Sequence, residues 1–270
     1  MTKTPPRPVS PRQWTGLLLT TTALGASVLG AEARIAPPAG ATDQTVWLAQ
    51  AEGGEGGEAG AVAGVDADTA YLVRLAIVEG HLLAAAALYK AGMVDDAIGL
   101  SYHPEAEMMD DVRSTLAAHG RDDFTPLMLA FSTAMEDGAT VDAMQTALAA
   151  FQDEVDAAII ADSPDAKKRF AVAVAVLKAA AAEYAGSIEG AEVTDVLAYH
   201  EAQAFVQVAR NLLAGPQNDP KVADLAARAL AAMEAADAAF GAANGAFVAN
   251  DPAILLAVAA RVELVSSQVR

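Results

Sequence analysis

The chain has 270 residues and no cysteine, which excludes disulfides, thiolate metal ligands and thiol nucleophiles. Its formal net charge is −18, and the first 33 residues carry +2 (Lys3, Arg7 and Arg12 against Glu32), leaving −20 on the remainder. A surface that acidic repels nucleic acid and anionic lipid, and it suits cations, basic partners or plain solubility. Hydrophobic residues make up 54% and aromatics only 5%, so alanine-rich contact between helices has to replace bulky packing.

The N-terminal segment reads as an address. MTKTPPRPVSPRQW is basic without a single acid, and it precedes the short apolar run GLLLTTTALGASVLG. Ala31-Glu32-Ala33 supplies a small-x-small cleavage site, so residues 1–33 have the layout of a secretory signal peptide and the exported chain is expected to begin near Arg34. The run is too short for a comfortable membrane span. A periplasmic or secreted location follows as an expectation. Residues 34–65 read as a flexible linker, because Gly53, Gly54, Gly56, Gly57 and Gly60 alternate with Glu52, Glu55 and Glu58. The composition changes at Val65-Asp66, which predicts that residues 66–270 fold without the tail.

From Asp66 onward no period-two strand pattern stands out. The stretch DADTAYLVRLAIVEGHLLAAAALYKAG is apolar almost all the way round, as a helix in the middle of a bundle is. Helices are predicted near 66–91, 93–101, 104–118, 124–137, 140–161, 164–186, 191–214, 219–240 and 252–268. His103-Pro104, Ser163-Pro164, Asp219-Pro220 and Asp251-Pro252 each set a polar residue before a proline, a helix-start signal. Glycines such as Gly92, Gly120 and Gly138 mark stops. In the 140–161 helix, Val141, Met144, Leu148, Phe151, Val155 and Ile159 form a single apolar stripe. Short connections favour antiparallel neighbours. The predicted fold is therefore all-α, an antiparallel up-and-down helical bundle. The corner at Ala87 to Ala97 resembles the turn of a tetratricopeptide repeat, but no second copy follows at about 34 residues, so it is read as a local helical hairpin.

At 100° per residue, Glu79 falls among Leu72, Leu75, Leu83 and Ala86 on an apolar face, and His81 falls on another side of the same helix. Glu201 falls among Leu197, Phe205, Val208 and Leu212, while His200, Gln203, Gln207 and Arg210 form a separate polar stripe. A buried carboxylate is costly unless paired, hydrogen-bonded or bound to a cation. Glutamates projected inward from two helices are one way a bundle builds a metal site. His103, with Glu105 or Glu107 one turn on, could complete the ligands. The candidate metal ligands are Glu79, His81, His103, Glu107, His200 and Glu201. Without thiolates, that set suits iron, manganese, zinc or copper, a divalent, iron or copper cation in all cases. Met108 and Met109 would tilt it toward copper.

Structural alternatives exist for each residue. Glu79 can pair with an arginine such as Arg210, His81 can be a hydrogen-bonded core histidine, and the two methionines can be core. His119 beside Gly120 suits a helix C-terminus.

An exported, acidic, alanine-rich helical chain with Gly80-His81 in its central helix resembles the imelysin group of periplasmic proteins. That resemblance implies two packed four-helix bundles and a role near iron uptake. The group's motif is Gly-x-His-x-x-Glu; here Gly80 directly precedes His81 and position 84 is alanine, so the family's metal residues do not carry over. No serine nucleophile elbow, phosphate loop or zinc-protease helix is present, and no enzymatic activity is expected. Two readings follow: a metal-handling accessory protein of the cell envelope, with a metal ion and an envelope protein as partners, or a helical interaction protein with no ligand.

Overall fold

The computed structural model describes residues 55–163, 165–241 and 247–270. The predicted signal peptide and most of the predicted linker lie outside the described residues. The fold is all-α, with eleven α-helices and one two-stranded hairpin among the described residues. The helices are α1 (Glu55–Val62), α2 (Ala67–Lys90), α3 (Val94–Ser101), α4 (His103–Glu107), α5 (Met109–Leu116), α6 (Thr125–Glu136), α7 (Val141–Asp162), α8 (Ala166–Gly186), α9 (Val196–Ala214), α10 (Ala223–Met233) and α11 (Ala253–Ser266).

Two closed rings of four helices emerge from the packing. In the first, α2 packs on α3, α3 on α6, α6 on α7, and α7 back on α2. In the second, α8 packs on α9, α9 on α10, α10 on α11, and α11 back on α8. Helix α2 belongs to the first ring and also lies against α8 and α9 of the second. This explains why it is apolar on every side. Leu72, Leu75, Ile77, Val78 and Leu82 are all buried. Each leucine or isoleucine so buried contributes about 1.5–3 kcal/mol of transfer free energy. Helix α2 is long and apolar enough to cross a membrane, but its residues are enclosed by the bundle. It is started by Asp66, whose carboxylate accepts the Thr69 N–H at 3.0 Å. It is stopped at Gly92, whose φ of 82° an L side chain resists.

Four local expectations change. Residues 55–62, inside the predicted linker, form α1, which packs on α8 and α2 with Glu58 and Ala61 buried. The predicted 104–118 helix is broken at Met108, where φ is −143°, into α4 and α5. The predicted start at residue 191 is instead a hairpin pairing Ile188–Glu189 with Glu192–Val193 around Gly190, whose φ is 64°. Asp195 then caps α9 by accepting the Leu197 and Ala198 N–H groups. Finally, α8 starts from Asp165, which accepts the Lys168 N–H at 2.7 Å, one residue beyond the proline signal.

Candidate metal centre

Helices α1, α2, α4 and α9 each send an ionisable side chain to one point. His81 stands at the centre. Its Nδ1 lies 3.0 Å from the Ile77 carbonyl oxygen one turn back, and since that oxygen can only accept, Nδ1 carries the proton. The bond fixes the ring and aims Nε2 away from α2, as an outer hydrogen bond orients a ligating histidine. Around Nε2 lie Glu58 Oε1 at 3.1 Å, Glu107 Oε2 at 3.4 Å and Glu201 Oε1 at 3.4 Å. His103 enters from the other side, its Nδ1 3.3 Å from Glu201 Oε1 and 3.7 Å from Glu107 Oε1. Donor atoms of Glu58, His81 and Glu107 lie within 4.8 Å of one another, and so do those of His81, His103 and Glu201.

The local sequence explains the convergence. Gly80 lets α9 come close: a Cβ there would sit 2.2 Å from Phe205 Cδ1. The Phe205 ring meets the His81 ring edge-on at 5.6 Å and closes one side of the site. The break at Met108 ends α4 just after Glu107, so His103 and Glu107 occupy successive turns of a helix that serves this corner alone. Beside Glu58 and Glu107 opens a cleft of about 440 Å³, walled by Arg74, Ile77, Met108 and Asp111. Arg74 and Asp111 pair there at 3.0 Å.

Charge dominates this centre. Burial works against a proton on His81, but the Glu58 carboxylate and hydrogen bonds to Glu107 and Glu58 outweigh it and raise its pKa well above the usual histidine range. Hydrogen bonding to Glu201 raises His103 despite its partial burial. Burial raises Glu58, while at Glu107 the hydrogen bond and charge of His81 overcome burial and lower the pKa. A protonated His81 thus stands where a cation would, and proton and metal compete for the same Nε2 lone pair.

Glu183 of α8 lies within reach of the charges of Glu201 and Glu58. It is 1% exposed, and neither carboxylate oxygen has a hydrogen-bond partner among the described residues. Burial, then the charges of Glu201 and Glu58, push its pKa up to about 9. Glu201 Oε1 has the imidazole nitrogens of His81 and His103 beside it, at 3.4 and 3.3 Å. Among the described residues, no lysine or arginine pairs with Glu58, Glu107, Glu183 or Glu201. Oxygen and imidazole donors without a neutralising base fit a hard or borderline cation such as iron, manganese or zinc.

Of the six sequence candidates, His81, His103, Glu107 and Glu201 come together. Glu79 and His200 do not join them. Glu79, two residues from His81, points to the opposite side of α2, where its Oε1 accepts from Gln152 Nε2 of α7 at 3.0 Å. Arg210, the partner weighed for Glu79, instead donates to the Met233 carbonyl at 3.0 Å and pairs with Asp237. His200 is buried beside Tyr199 and Phe247, not on a wet stripe; neither ring nitrogen has a partner among the described residues, and burial lowers its pKa. Glu105 turns to Arg113 at 2.8 Å. Met109 is core. His119 stacks on Tyr71 at 3.9 Å and faces Asp162.

Glu58, a member of the site, and the buried Glu183 lie outside the sequence candidates. Glu183 carries the signal that singles out Glu79, a lone acid in the apolar run AVAVAVLKAAAAEYAG. Glu58 is masked by its glycine neighbours, and only Ala61 and Val62, three and four residues on, hint at a helical face.

Residues 159–269 match a family model described as the iron permease-associated 4-helix bundle domain. The match runs from the end of α7 through the second ring and includes Glu183 and Glu201. No curated protein and no solved structure matches the chain. That segment is thus similar to a helical domain associated with iron permeases, and the match does not extend to the imelysin resemblance.

Proposed function

We propose that this chain is an exported, non-catalytic protein that binds a metal cation for an iron-uptake system, alongside a permease in the cell envelope. The observation that carries the reading is the His81 Nε2 atom, fixed by the Ile77 carbonyl and facing three carboxylates from three other helices. His81 and His103 would supply nitrogen donors, and Glu58, Glu107 and Glu201 oxygen donors. The cation is cargo, and the cleft beside Glu58 and Glu107 is its route to solvent. The match over residues 159–269 supports the iron context. Export rests on the basic and apolar layout of residues 1–33.

The test is metal retention and melting. Protein stripped with a chelator and dialysed against Fe(II) under anaerobic conditions, or against Zn(II), is expected to retain stoichiometric metal. It should also gain about 2.7 kcal/mol of stability at a free metal concentration of about 100 times Kd. Glu201→Gln and His81→Ala should lose both effects. Protein that retains no metal, with unchanged melting in its presence, would leave the cluster as a proton-held network and favour the interaction-protein reading.

A further inference from the structure

The donors form two overlapping sets rather than one shell. Glu58, His81 and Glu107 make the first, and His81, His103 and Glu201 the second. His81 offers only Nε2, since Nδ1 is held by Ile77, so it can serve one ion. His103 brings its own nitrogen from the far side, with the two rings 6.1 Å apart. Glu107 lies between them and turns a different oxygen to each, Oε2 toward His81 and Oε1 toward His103. Glu201 Oε1 is almost equidistant from both nitrogens, at 3.4 and 3.3 Å. Two imidazoles that share two carboxylates are the donor pattern of a two-metal site, in which ions about 3.5–4 Å apart are bridged.

Charge balance and Glu183 point the same way. Once cations displace the protons held in this cluster, Glu58, Glu107, Glu183 and Glu201 present four negative charges, three of them on buried side chains. One divalent ion leaves half of that uncompensated in a setting where an unpaired charge is costly; two divalent ions cancel it. Glu183 is buried, and among the described residues neither of its oxygens has a hydrogen bond beside this charge. Such a group calls for a ligand or a proton.

Building on the proposed cation-binding role, we infer that the cluster holds two cations. One sits on His81 with Glu58, the other on His103 with Glu201, Glu107 spans the two, and Glu183 is a further carboxylate for the pair.

Mn(II) titration of the stripped full chain, followed by elemental analysis and electron paramagnetic resonance, tests this. The wild type should retain two ions per chain and show the multiline spectrum of exchange-coupled manganese, which separate surface sites on an acidic protein cannot give. Glu183→Gln, a near-isosteric change, and His103→Ala, at a half-exposed position, should each retain one ion and lose the coupled signal. One ion per chain in wild type and in Glu183→Gln, with an uncoupled spectrum, overturns the second cation and leaves the proposed function intact. A coupled pair in Glu183→Gln removes Glu183 from the site. No retained manganese, iron or zinc overturns both readings.

Discussion

Glu79 shows what a single buried acid does to stability when no cation is at hand. It is 3% exposed and accepts one hydrogen bond from Gln152, and burial pushes its pKa up to about 7. The folded state therefore favours the protonated form more than the unfolded chain does. Its stabilising contribution is complete below the ordinary glutamate value of about 4.5 and is lost as pH rises through about 7. Glu79→Gln keeps an oxygen to accept from Gln152 and removes the charge. The variant should match the wild type near pH 4.5 and exceed it at pH 8, by at most about 3 kcal/mol from the size of the shift. Urea unfolding at the two pH values checks this, and a variant less stable at pH 8 would contradict it. That Glu79 and Glu201 are buried was legible from 100° periodicity, since an acid among leucines on one face has nowhere wet to go. Their partners were not legible. Gln152 lies 73 residues away, and which side of α2 meets α7 is decided by the packing of whole helices. Periodicity separates the faces of Glu79 and His81 but does not say which face carries the ligands.

Helix α1 is the element that composition conceals. Three of its eight residues are glycine, each costing roughly 0.5–1 kcal/mol relative to alanine. A helix this short is marginal alone in water. It is held by contact with α8 and α2, through the buried Ala61 and Glu58. Docking overrides propensity here, which is why a glycine-rich run reads as linker in the sequence and folds as a helix that carries Glu58 into the cluster. The break at Met108 was hidden for a similar reason: no proline or glycine marks it, and the bend follows the demand of the corner. A marginal helix that carries a ligand should be ordered by the cation. Limited proteolysis is expected to cut the 55–65 segment several-fold more slowly with saturating Zn(II) than without it, and Glu58→Gln should abolish the protection. Equal cutting rates in both conditions would show that α1 is docked without help from the metal. The composition change at Asp66 predicted a dispensable tail. With Glu58 in the cluster, a chain begun at Asp66 has lost a donor.

At the scale of the molecule, the centre lies on the seam between the two rings. The matched segment, residues 159–269, contributes Glu183 and Glu201, while Glu58, His81, His103 and Glu107 come from before it. The all-α fold was legible in helix periods and stop signals, because those are local, and the two-bundle option came only with the family resemblance. The seam was not legible, because it depends on α2 serving both rings at once. This gives a direct prediction for the isolated second ring. A chain of residues 159–270 keeps the α8–α9–α10–α11 ring but strips α2 and α1 from α8 and α9. Phe205, packed on Gly80 and His81 in the whole chain, then faces water beside Ala202 and Glu201. An apolar face of that kind, with its partner helix removed, should drive self-association. The two remaining carboxylates lack both imidazoles and should retain no cation after dialysis. Sedimentation should find the fragment oligomeric, and elemental analysis should find it metal-free. A fragment that is monomeric and retains the same Zn(II) as the full chain would place the binding site within the second ring and remove His81 from its centre.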